Sequence, residues 1–154
     1  MNMAHKGRIS PHFYESELCC PCCFALELDP LLILGLELFR SYLNESFPQD
    51  GGIDVKLSPT SCYRCLMHNS EVGGVADSLH TSGKAIDLRV VASSYPIPLN
   101  IAYNVASNVW TFKVGGVGVY PEENRLHLDV GKCRRWGKVK GVYVSVADAL
   151  KEIK

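Results

Sequence analysis

Two stretches of this chain alternate apolar and polar residues with a period of two, and a long polar segment separates them. Ile53-Asp-Val-Lys-Leu57 and Lys84 to Val91 each read as a half-buried strand. Between them, Ser58 to Ser82 is polar and glycine-bearing, with one helical turn expected around Met67 to Val72. Loops of this length inside a compact domain are usually functional. Any fold for this chain must therefore pair strands while carrying a long working loop.

The remaining punctuation extends that frame. The chain has 154 residues, enough for one core and too few for two. Asp29-Pro30 opens a helix, since Asp caps and Pro suits the first helical position. Leu31, Leu34 and Leu38, with Leu32, Leu36, Phe39 and Leu43, make more than one apolar stripe. This helix is expected to be largely buried and to end near Asn44. Pro48 to Gly52 reads as a turn, and Pro98 to Trp110 as a second helix. Val117 to Tyr120 and Arg125 to Val130 form a hairpin joined by Pro121 to Asn124; Gly141 to Ser145 is a further short strand. Val146 to Ile153 closes the chain as a helix or turn, and Phe13 to Cys23 is an irregular lead-in loop. The expected organisation is a flexible arm over 1–11 and a single domain over 12–154. Without a regular βαβ rhythm, the class is α+β, a small mostly antiparallel sheet flanked by helices.

Composition excludes several functions. Hydrophobic residues are 47% and charged residues 21%, a globular mix. Lys+Arg and Asp+Glu are 16 each, so no polycation offers itself to nucleic acid or an anionic membrane. The apolar run Leu31 to Leu36 is far below the ~20 residues that span a bilayer. No apolar segment follows His5, Lys6 and Arg8, so no secretory signal is read and the chain is expected in the cytoplasm as synthesised. A monomer is expected. Of the 7 cysteines, four lie in Cys19-Cys20-Pro21-Cys22-Cys23 and two in Cys62-x-x-Cys65. An odd count without a signal argues against a disulfide framework. A structural zinc joining Cys19–Cys23 to Cys62 and Cys65 is one reading, buried core thiols the other, and some of the adjacent thiols must be spare.

His80 precedes Asp87 by seven positions, with Gly83 between them to let the chain turn sharply. His127 sits on the last hairpin strand. Two imidazoles and a carboxylate suit zinc and leave a fourth position for water. By spacing alone, a satisfied core or surface histidine is the competing reading.

The literal residues add to this. Ser78-Leu-His80-Thr-Ser-Gly83-Lys-Ala85-Ile-Asp87, then His127-Leu-Asp129, resembles the zinc D-Ala-D-Ala carboxypeptidase and L-alanyl-D-glutamate endopeptidase family, whose wider group includes the hedgehog metal-binding domain. Ser61-Cys-Tyr-Arg64 and His68-Asn69 to Gly73-Gly74 match further segments, with Cys62 where glycine is usual. His12-Phe13, Glu17, Gly116 to Pro121 and Trp136 resemble the short, single-domain members. The resemblance implies the hedgehog-like fold, a catalytic zinc held by His80, Asp87 and His127, and Arg64 on the substrate carbonyl or its oxyanion. Ser78 supports the metal loop. The implied substrate is a peptidoglycan stem peptide, reached after lysis or as part of a phage particle, with no nucleic-acid or membrane partner.

One position departs from the pattern. Many of these peptidases place an acid three residues before the last zinc histidine, and here that residue is Asn124, which takes no proton from water. Glu122 and Glu123 lie just upstream, and Asp129 shares the strand face of His127. Glu123 is slightly favoured as base, and Asp129 either orients a ligand histidine or assists the water. The departure also motivates a rival expectation: a weak or inactive zinc-stabilised module that binds a peptide or a partner. A third reading, from the clustered thiols alone, is a redox or metal-storage protein. Lys132 to Lys140 is a basic run, expected as a solvated face that guides an anionic wall polymer.

Overall fold

Asp29 accepts a hydrogen bond from Leu31 N, and Pro30 supplies a first-turn residue that needs no donor. The helix so started, Pro30–Ser46, is the longest of the protein's described helices. The computed structural model describes residues 7–47, 54–92 and 97–153. The turn expected at Pro48 to Gly52 and the arm residues 1–6 lie outside them.

In chain order the elements are β1 (Arg8–Ser10), β2 (Phe13–Tyr14), α1 (Glu15–Leu18), α2 (Pro30–Ser46), β3 (Val55–Ser61), α3 (Leu66–Glu71), β4 (Ala85–Ala92), α4 (Leu99–Asn108), α5 (Trp110–Lys113), β5 (Gly116–Tyr120), β6 (Arg125–Asp129), β7 (Arg134–Val139), β8 (Val142–Val144) and α6 (Val146–Lys151). Short 3-10 turns occupy Leu79–Ser82 and Pro121–Glu123. Part of the expected arm is thus ordered, since β1 pairs with β2. The lead-in loop likewise contains β2 and α1, whose Glu17 side chain accepts from Tyr14 N.

Six strands form one sheet in the order β3-β4-β6-β5-β7-β8. Every neighbouring pair is antiparallel except β5 and β7, which run parallel. The α+β class and the mostly antiparallel sheet stand as expected. The strand β7 was not: its residues read as a solvated basic run. Arg135 in fact donates to the carbonyls of Gly115, Phe112 and Lys113, Gly137 is buried against Ala149, and Trp136 is half-buried beside His127. Long cationic side chains can flank a strand because their stems pack while their heads reach polar groups.

The core lies between the sheet and the helices. Leu32, Leu36, Phe39 and Leu43 of α2 are fully buried, together with Ile86, Leu88, Val117, Val119, Leu126 and Leu128 of the sheet. This stripe of α2 is fully buried, and Ile33, Leu38 and Tyr42 beside it are partly buried against the core. Leu31 and Leu34 are each 43% exposed, so the expectation of a largely buried helix is corrected to a one-faced one. At its C-terminal end Asn44 donates to Val55 O and accepts from Val55 N, which fastens the helix to β3. Among the described residues no helix is long and apolar enough to cross a membrane.

Candidate functional site

The centre of the sheet brings the long loop and the hairpin together. Antiparallel pairing sets Asp87 of β4 directly opposite His127 of β6. Ser78 caps the 3-10 turn that presents His80, its Oγ accepting from His80 N. Gly83 then reverses the chain at φ +69°, and a side chain there would strike the Glu27 carbonyl. Only glycine meets both conditions. The expected sharp turn between His80 and Asp87 is therefore present.

His80, Asp87 and His127 are all buried, and one ligand atom from each lies within 4.8 Å of the others. His127 Nδ1 is 3.0 Å from Asp87 Oδ1, and His80 Nε2 is 3.4 Å from Asp87 Oδ2. The outward nitrogens are engaged elsewhere. His80 Nδ1–H donates to the Cys62 carbonyl at 2.7 Å, and His127 Nε2 is 2.9 Å from Asp129 Oδ2. Each ring thus keeps one nitrogen facing the shared carboxylate while the other is anchored, the arrangement by which proteins orient metal-binding histidines. Two imidazole nitrogens and a carboxylate form a donor set that fits zinc.

Electrostatics follow from burial and partners. Burial alone would raise the Asp87 carboxyl, yet hydrogen bonds and charge from His127 and His80 hold it well below the usual carboxylate range. Burial alone would lower His127, but Asp129 and Asp87 on its two nitrogens raise it. Asp129 is fully buried; burial opposes its ionisation, and the His127 bond outweighs this and lowers it. Its Oδ1 also accepts from Gly116 N and Gly131 N, and Arg134 Nη2 lies 3.2 Å from Oδ2.

Arg64 is close by. Its Nε donates to Ser61 Oγ at 2.9 Å, Nη1 to Asn69 Oδ1 at 3.4 Å and Nη2 to Asp87 Oδ2 at 3.2 Å. Asn69 of α3 is itself buried and donates to Val75 O, so this short helix holds the guanidinium from behind. A groove of about 560 Å³ reaches this arginine, lined in part by Glu17, Phe24, Thr60, His68 and Val72. Another, of about 620 Å³, lies around His12, Glu37 and Arg40; His80, Asp87 and His127 line neither, and the first meets the centre only through Arg64. His12 itself bonds Glu37, and His68 lies 3.8 Å from Glu71; neither joins the centre.

The turn acids have partners of their own. Glu123 Oε2 accepts from Arg125 Nε at 2.7 Å, and Glu122 Oε1 accepts from Lys140 N at 2.8 Å. Asn124 adopts a left-handed conformation at φ 48°, which asparagine tolerates better than most residues. Arg125 was missed in the sequence. Its Nη1 is 3.0 Å from Asp87 Oδ2, and its guanidinium lies over the Tyr120 ring. Period-two alternation from His127 would have found it, because Arg125, His127 and Asp129 share one face. Trp136 forms the opposite wall, its ring centroid 5.1 Å from that of His127, and a side chain at Gly118 would collide with it.

Comparison with known proteins supplies independent findings. The chain is similar to the probable peptidoglycan L,D-endopeptidase MepK of Haemophilus influenzae, 40% identical over 77 residues, which are 49% of this chain and 36% of that protein. It is also similar to the peptidoglycan L,D-endopeptidase MepK of Escherichia coli, 33% identical over 81 residues, 49% of this chain and 41% of the relative. The chain therefore matches less than half the length of either relative. No solved structure matches. The sequence profile described as Peptidase M15 matches residues 50–129. That span begins before β3 and ends on Asp129, so it contains His80, Asp87, His127 and Arg64, and on this match the chain belongs to the peptidase M15 family.

Proposed function

We propose that this M15 chain is a zinc-dependent peptidase that hydrolyses peptide bonds in the stem peptides of peptidoglycan, of carboxypeptidase or endopeptidase type. The observation that carries the reading is the convergence of His80, Asp87 and His127, with the outward nitrogen of each histidine anchored. The names of the two relatives support the substrate class. Zinc bound there would supply a water acidified towards pKa ~7 and a Lewis acid for the scissile carbonyl.

The chain's own residues supply the rest. Arg64, held by Ser61 and Asn69, is aimed at the edge of the centre, where a fixed guanidinium stabilises negative charge developing on the carbonyl oxygen. Glu123 stands one guanidinium away from Asp87, bridged by Arg125. It is the carboxylate we assign as general base, accepting a proton from water and passing it to the leaving amine. Asp129 acts through His127 as a positioning residue, because the imidazole ring separates it from Asp87. The groove beside Arg64 offers room for an extended peptide.

Hydrolysis of purified muropeptides tests the reading, with activity expected, lost to a chelator and restored by zinc. A second reading, a zinc-stabilised peptide- or partner-binding module, draws on Asn124 and on the engagement of Glu123 by Arg125. Tight binding of muropeptides without turnover, in zinc-loaded protein, would favour it over hydrolysis.

A further inference from the structure

Four of the seven cysteines meet at one point away from the histidine centre. Among the described residues, Cys20, Cys22, Cys23 and Cys65 have their sulfurs within 4.8 Å of one another. Cys20 Sγ is 3.5 Å from Cys22 Sγ, and Cys22 Sγ is 3.3 Å from Cys65 Sγ. A disulfide would hold its sulfurs ~2.05 Å apart, so these are free thiols in contact. Sulfurs at the corners of a tetrahedron, each ~2.3 Å from a central zinc, stand about 3.8 Å apart. The cluster is thus close to zinc-binding dimensions before any ion adjusts it.

Its surroundings are built. Cys20 is fully buried. Cys65 N donates to Cys20 Sγ and His68 N to Cys65 Sγ, each at 3.4 Å. Such N–H donors stabilise thiolates by the same means that they stabilise other anions. Phe24 N donates to Cys20 O and Cys20 N to Ala25 O, folding Cys20 to Ala25 into a tight reversal that presents three thiols towards Cys65. The other cysteines are excluded by position. Cys19 Sγ faces Ser16 O, Cys62 is buried in the hydrophobic core, and Cys133 Sγ faces Lys113 O.

We propose that Cys20, Cys22, Cys23 and Cys65 form a tetrathiolate site for a structural zinc ion, distinct from the His80–Asp87–His127 centre. Four thiols release four protons and bind Zn²⁺ as thiolates, with no change of oxidation state. With four protein ligands the site is closed, leaving no position for water or substrate, which makes it structural. It joins the lead-in segment to the loop of Arg64 at the residue after that arginine. One backbone bond already makes this crossing, Tyr63 N to Leu18 O at 3.1 Å, and next to it Arg64 N donates to His80 O, also at 3.1 Å. The ion fastens the same crossing and limits the paths open to Arg64. The site does not depend on the chain being a peptidase.

Metal analysis of the reduced protein separates the two centres. The wild type should carry about two zinc ions, and the His80→Ala/His127→Ala variant about one. Cobalt loaded into that double variant should give intense thiolate-to-cobalt charge-transfer absorption in the near ultraviolet, a readout that needs no cysteine variant. Cys22→Ser/Cys65→Ser should lose this ion while keeping the one at the histidine centre. A double-histidine variant without zinc, cobalt bands lacking thiolate character, iron in place of zinc, or a disulfide among the four cysteines in the protein as isolated would each overturn the proposal. Loss of muropeptide hydrolysis alone would bear on the peptidase reading and not on this site.

Discussion

His127 Nε2 lies 2.9 Å from Asp129 Oδ2, two residues along the same strand, while Nδ1 of the same ring faces Asp87 at 3.0 Å. The period of β6 puts both side chains on one face, and the register with β4 brings Asp87 to the other side of the ring. Asp129 has no solvent exposure and is clamped by Gly116 N, Gly131 N and Arg134. Such a carboxylate sets the orientation and tautomer of its histidine.

Asp129→Asn is therefore expected to weaken zinc binding at the histidine centre by about 10–100-fold without unfolding the protein. Chelator competition on the Cys22→Ser/Cys65→Ser background, where only this centre would bind metal, measures it. An unchanged affinity would remove Asp129 from the positioning role.

Arg64→Lys should lower turnover on the order of 10²-fold with zinc retained, because an ammonium cannot reproduce the fork held by Ser61, Asn69 and Asp87. Loss of metal along with activity would show instead that Arg64 maintains the centre's structure. Steady-state hydrolysis and zinc content on the same preparation distinguish the outcomes.

Glu123→Gln should reduce turnover by roughly 10²–10⁴-fold and leave zinc in place, whereas Glu122→Gln, whose carboxylate only caps Lys140 N, should change little. Equal activity of both variants and the wild type would exclude Glu123 as the base.

Glu37 gives a pH dependence away from the centre. Burial opposes its ionisation, but hydrogen bonds from Ser10, and from the His12 ring and backbone, prevail and lower its pKa from the ordinary 4.5. A carboxylate with a depressed folded-state pKa stabilises the fold above the unfolded value, and that stability is lost as pH falls through the folded one. Thermal melts of the wild type should thus fall off below about pH 4.5 more steeply than those of Glu37→Gln. Parallel curves would show that the Glu37 contacts contribute nothing to folding.

The packing of α2 is tested by a contrast. Phe39→Ala should destabilise by about 3–5 kcal/mol, since the ring is fully buried and leaves a cavity. Leu34→Ala, on the half-exposed side, should cost well under that. Denaturant unfolding of the two variants provides the comparison.

Local chemistry was legible along the chain. Asp29-Pro30 announced a helix start, the alternation of β4 and β6 announced strands, and His80 to Asp87 announced a glycine reversal and a carboxylate. These features depend on neighbours a few residues apart, and propensity, capping and side-chain period operate over that range. Other features required pairing between distant segments. The register of β4 against β6 decided that Asp87 would face His127, and put Arg125 on the face that reaches Asp87 as well. The parallel docking of β7 beside β5 turned a basic run into a wall behind His127, carrying Trp136 and Arg134. The choice of Cys20, Cys22, Cys23 and Cys65 out of seven thiols arose where the lead-in reversal meets the start of α3. A one-dimensional pattern records which side chains share a face; which face meets which is settled by the joint burial of the core and the pairing of backbone groups, and that belongs to the tertiary structure.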